Sequence, residues 1–278
     1  MESLVGDNET SVMTQVHNLA WYTVVFRTLN EARRIEPEQK VNGALWELLT
    51  AGYGGLLTLG IRKLVDKDPR TDSLWNAIDL IKKRPELLTR EKFVCYDGLP
   101  YDWELAQKTY YQKLTDEKFA KAHFLPTKGP EAWAKSEMMH RAFDKLSGNP
   151  STRRREDKIQ ASILNKLIEK LEHPAVLKVC EMVNQQIAHA ERLPEDVKLS
   201  TAITYNDINE AFKQVVQVAN FLLGSFFCDT AIGSIVPTPQ FDVLEALDAP
   251  WVKAENLNLL QDYWQKQSDE MDGWIQGI

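Results

Sequence analysis

The chain has 278 residues, 44 % apolar and 26 % charged, with enough length for a sizeable core and too little Gly and Pro for low-complexity linkers or long β-meanders. No apolar run approaches the roughly 20 residues of a membrane span, and the opening MESLVGDNETS lacks the basic-then-apolar pattern of a secretion signal. The formal charge of −7 is uneven: eight acids against Lys253 and Lys266 put −6 on residues 241–278 and leave −1 on residues 1–240, which argues against a duplex-DNA binder.

In chain order, Val12, Val16, Leu19, Phe26 and Leu29 recur on one helical face and predict a first helix from about Glu9 to Arg34. Pro37 is expected to open a second helix reaching about Val65, the most apolar of all. Its Gly52, Gly54, Gly55 and Gly60 suggest a face that another backbone approaches closely. Asp72 or Ser73 caps a short helix over Leu74 to Lys83, and Thr89 caps another stretch to Cys95. YDGLPYD (96–102) reads as a loop, and Asp102 starts a polar helix from Trp103 to about Lys121. A further helix runs from Pro130 to Leu146 and stops at Gly148-Asn149-Pro150. Residues 96–149 are less apolar and read as a helical insertion.

The helical period returns from Arg155 to Leu171. Pro174 opens the next helix, with Val176, Val179, Val183 and Ile187 facing inward and Pro194 beyond its end. Thr204 and Asp207 form a capping pair for a long helix to about Cys228. Residues 229–278 form an acidic extension with a helix around Leu257 to Gln267 and three tryptophans, Trp251, Trp264 and Trp274. There is no β pattern and no repeat of fixed period.

Three cysteines, Cys95, Cys180 and Cys228, are widely spaced and fit reduced thiols of a cytoplasmic protein. Candidate chemistry gathers at 180–193, CEMVNQQIAHAERL, where Asn184, Gln185, His189, Glu191 and Arg192 crowd a helix end. A histidine there suits acid–base work near neutral pH, or serves as a favourable cation at the helix terminus. On a regular helix Asn184 and His189 stand about 140° apart, whereas Gln185 and His189 share a face. Glu137 and His140 have half of a di-metal carboxylate spacing, and the other half is missing. Arg153, Arg154 and Arg155 are either a solvated loop or an anion site for RNA phosphate. No nucleophile motif and no cofactor motif is present.

Three segments in order carry a resemblance: LGIRKLVDKDPRTDSLWNAIDLI (59–81), NQQIAHAERL (184–193) and AITYNDINEAFKQVVQVANFLLG (202–224). Together they resemble the AbiU2-like branch of the HEPN superfamily. The resemblance covers about 10–95 and 150–228. It implies an all-α, up-and-down helical bundle formed by 1–95 and 150–228, often dimeric. It also implies a cytoplasmic role in phage defence, abortive infection or a toxin-type system with a cognate protein partner. Many members are metal-independent ribonucleases whose site is an arginine followed four to six residues on by a histidine. Here His189 matches the histidine, but Asn184 stands at the usual arginine position, with Gln185 after it. Arg192, or Arg153 to Arg155, is then expected to supply charge to RNA. The alternative is a dimeric, non-catalytic helical interaction module, and a third reading is a metal-binding protein using Glu137 and His140.

Overall fold

The computed structural model describes residues 11–38, 43–116, 125–148, 150–188, 203–226, 234–245 and 253–276. Among them every regular element is helical, and the only β pairing is one isolated bridge, Thr89 with Lys158. No helix among the described residues is long and apolar enough to cross a membrane.

The chain divides into two compact units, residues 1–77 with 168–278, and residues 78–167. The second contains the whole of the segment 96–149, and the acidic extension is part of the first.

The first unit is built on helices α1 (Val12–Ile35) and α2 (Gly43–Leu64). Ser11 starts α1 by accepting the Thr14 N–H, and Arg33 and Arg34 lie in its last turn, where cations complement the helix dipole. Pro37 lies in a turn, and the described part of α2 begins only at Gly43. Helices α1 and α2 join through the ring of Phe26, stacked on Tyr53 with centroids 4.0 Å apart, and through Gly60, where a Cβ would lie 2.6 Å from Leu19 Cδ2. What comes close at Gly60 is the Leu19 side chain and not the backbone that the glycines suggested. At Gly52, Gly54 and Gly55 a Cβ would meet nothing within 4 Å.

Chain order continues with α3 (Leu74–Lys83), α4 (Arg90–Val94), α5 (Trp103–Asp116), α6 (Trp133–Ser147) and α7 (Ala161–Leu171). Helix α7 starts later than its sequence period suggested, because residues before it are drawn into hydrogen bonds with the α4 start: Arg90 N–H to Asp157 O and Glu91 N–H to Arg155 O.

In the second unit Arg90 is wholly buried. Its guanidinium pairs with Asp144 at 2.8 Å and Asp157 at 2.9 Å, and it lies over the Phe143 ring. Gly148 closes α6 in the left-handed conformation, with φ 79°, that glycine adopts without steric cost.

Back in the first unit, α8 (Pro174–Met182) packs between α2 and α9 (Tyr205–Phe221). Thr204 and Asp207 form the expected capping box, and Lys178 of α8 pairs with Asp207 at 2.7 Å. Lys178, with the Thr204 N–H and hydroxyl, brings the Asp207 carboxyl down to about 2.

Helix α10 (Leu257–Gly273) runs well past the expected end at Gln267 and lies along α1. Trp264 meets the edge of Trp21, Arg27 donates to Gln267, and Leu260 and Leu244 bury against Ala32. Asp272 accepts the Ile235 N–H and the Ser234 hydroxyl, which ties the extension to itself.

Candidate functional site

Helix α8 ends irregularly. After Met182 the backbone widens into a π-helical turn, Val183–Ala188. Such turns cost hydrogen-bond geometry and occur often at functional sites. Val183 stays buried, while Asn184 is exposed. Gln185 is half-buried and donates to Glu181 at 3.2 Å. His189 and Arg192, the other expected members of the site, lie outside the described residues.

The residue that the sequence did not connect to this place is Arg62, in the last turn of α2. Its Nε donates to Asn184 Oδ1 at 3.1 Å. The same guanidinium forms an ion pair with Asp66, four residues on, at 3.0 Å. Asp66 is itself fixed, because one carboxylate oxygen accepts the Asp68 N–H. Cys180, one turn before Asn184, is a free thiol whose ionisation burial pushes up, against the pull of Arg62. Arg62 and Asp66 both lie within segment 59–81, but 122 positions separate Arg62 from Asn184, so no local spacing could reveal the contact.

The three arginines at 153–155 belong to the second unit and are largely engaged there. Arg153 forks onto Asp144, at 2.7 Å for the shortest contact. Arg155 pairs with Glu91 and lies over the Tyr101 ring. Arg154 donates its backbone N–H to Asp157 and exposes its side chain. The positive charge there serves the loop and the buried Arg90 cluster. Burial pushes the Asp144 carboxyl up, but bonds from Arg153 and Arg90 outweigh it and hold it below its ordinary value.

Glu137 and His140 do not converge. Glu137 is held by Arg141 at 2.5 Å, and His140 is buried with Nε2 on the Tyr101 carbonyl at 2.8 Å. Burial lowers the His140 pKa. Among the described residues no group of three or more His, Cys, Asp or Glu could hold a metal. Cys95 is also a free thiol, and Cys228 lies outside the described residues.

A polar cavity of about 480 Å³ opens where α10 meets α1 and α9, lined by Arg27, Asn209, Glu210, Lys213 and Glu270 among others. Its charges largely answer each other, Arg27 to Glu270 at 3.4 Å and Lys213 to Glu210 at 4.0 Å.

The described residues form a helical assembly without strands, which fits a HEPN-like helical bundle. The family model HEPN_AbiU2, described as AbiU2, matches residues 7–234, and the chain belongs to this abortive-infection-associated family of HEPN domains. No curated protein and no solved structure matches the chain significantly.

Proposed function

We propose that the protein acts on RNA as a homodimer in a prokaryotic defence or toxin-type system, with His189 at the centre of the reaction. The observation that carries this reading is the π-helical turn over Val183–Ala188, which leads into His189 in sequence and presents Asn184 outward. In sequence Asn184 and His189 stand five positions apart, within the spacing that the resemblance gives to the arginine and histidine of the ribonuclease motif. Family membership over 7–234 supports a role of the kind that abortive-infection-associated HEPN domains have.

In this reading the ribose 2′-oxygen attacks the adjacent phosphorus, and His189 takes the 2′-proton. The bond from phosphorus to the 5′-oxygen breaks, and that oxygen takes up a proton. The products are a 2′,3′-cyclic phosphate and a 5′-hydroxyl, with no redox partner required. Asn184 and Gln185 contribute hydrogen bonds, and Arg192 holds RNA phosphate by charge.

The homodimer is supported by the exposed side of α2. Leu48, Leu56 and Leu59 are 68, 55 and 42 % exposed. An apolar helix of this kind ordinarily has all its sides covered.

The test is incubation of the purified chain with single-stranded RNA, beside His189→Ala, with growth arrest on expression as a second readout. Wild-type cleavage reduced about 10²–10⁴-fold by His189→Ala is the expected result. Wild-type inertness in both assays overturns the enzyme and leaves the non-catalytic dimeric module.

A further inference from the structure

Cleavage of a phosphodiester by proton transfer leaves charge accumulating on the phosphate oxygens. A fixed donor or cation aimed at that charge is commonly the largest contribution to rate. Asn184 supplies an amide and no charge. The geometry points to Arg62 as the cation of this site, contacting the scissile phosphate of a single-stranded RNA; this rests on the RNA reading above.

Four observations converge. The Arg62 guanidinium is on Asn184, 3.1 Å from Nε to Oδ1, so it stands at the π-helical turn and not elsewhere on the surface. It is oriented by two groups at once, Asn184 and Asp66, which leaves it positioned before substrate arrives. Its side chain is 29 % exposed, enough to be reached and sheltered enough for charge to act strongly. It lies at the C-terminal end of α2 beside Lys63, where the helix dipole favours a cation at rest.

Asn184 thereby acquires a role of its own. An arginine at 184 would repel Arg62, whereas an asparagine accepts its Nε–H and keeps its own amide N–H groups for the substrate. The charge then comes from the end of α2 and acts at the turn after α8. Arginine is suited to this, because its guanidinium carries five N–H donors, and those not given to Asn184 and Asp66 can meet phosphate oxygens.

The experiment compares wild type, Arg62→Ala, Arg62→Lys and the double variant Arg62→Ala/Asn184→Arg. The substrate is a fluorescein-labelled single-stranded oligoribonucleotide, with thermal unfolding of each variant in parallel. Arg62→Ala is expected to reduce kcat about 10²–10³-fold. Arg62→Lys, which keeps charge but loses the fork, is expected to fall between Ala and wild type. The double variant is expected to regain at least about tenfold over Arg62→Ala, because the charge returns to the same place from the turn after α8. Should Arg62→Ala fail to fold, Arg62→Lys with kcat equal to wild type overturns the assignment. Full activity in a folded Arg62→Ala overturns Arg62 and leaves the RNA reading standing. A folded double variant no better than Arg62→Ala also overturns it. A wild type that does not cleave RNA removes the RNA reading and Arg62 with it.

Discussion

At the scale of single residues, two arginines organise the protein, and they differ in what holds them. Arg90 is fully buried, and its charge is answered by Asp144 and Asp157, the Ser147 hydroxyl and the His140 carbonyl. Removing one partner of a buried pair leaves the others uncompensated, at about 3–5 kcal/mol. Both carboxylates keep some exposure, so Arg90→Met is expected near the lower end, about 3 kcal/mol, read from denaturant unfolding. The acid dependence should flatten as well. The Asp144 carboxyl is depressed in the folded state, so the stability it lends is complete above the ordinary carboxyl value and is lost as pH falls through the folded one. A variant with wild-type stability at neutral pH, or an unchanged acid limb, would contradict this. Neither arginine announces itself in the sequence. The 144 and 157 partners of Arg90 and the 184 partner of Arg62 are each more than 50 positions away. Thr204 and Asp207, by contrast, act over three residues and were legible as a cap.

At the scale of elements, local chemistry sets a helix start where a capping side chain stands and misses it where tertiary contacts compete. Ser11, Ser73, Thr89, Asp102 and Thr204 all accept an N–H of the first turn. The expected α7 began too early because its first residues bond to the α4 start instead, a tertiary competition that periodicity does not register. The π-helical widening after Met182 was equally invisible, since Val176, Val179 and Val183 keep a regular spacing into it. Helix α2 shows the same division within one element. Its glycines look equivalent in sequence but are not in space. Gly60→Ala drives a methyl against Leu19, itself 5 % exposed, and overpacking of this kind costs about 1–3 kcal/mol. At Gly54, off the exposed leucine stripe, the added methyl meets nothing within 4 Å, and helix propensity should stabilise the chain by up to about 1 kcal/mol. Opposite signs in thermal unfolding of the two variants are the expected outcome; equal effects would show that the α1–α2 approach is looser than drawn.

At the scale of the whole molecule, the family match ends at 234, yet the residues after it are no appendage. Leu260, Met271 and Trp274 are buried, and Trp274 meets Phe212 of α9 edge-on. Among the described residues Asp242, Glu245, Glu255, Asp262, Asp269 and Glu270 are exposed, while Trp264 packs on Trp21 and Trp274 on Phe212. Among the described residues α2 keeps an exposed apolar side. Leu48, Gly52, Gly55 and Leu59 follow one another at four, three and four residues along α2, and three residues further on comes Arg62. That spacing keeps them on one side of the helix. A second copy laid along this stripe would cover the leucines, use the open glycines for close approach, and bring two Arg62–Asn184 pairs toward one groove. Apolar contact and site assembly would then be one event. Leu48→Glu with Leu59→Glu should leave the fold intact, since both side chains face outward, and should convert a dimer to a species of 31.9 kDa in light scattering. RNA cleavage should fall together with the dimer. A wild type already at 31.9 kDa, or a monomeric variant with undiminished cleavage, would place the complete site within one chain.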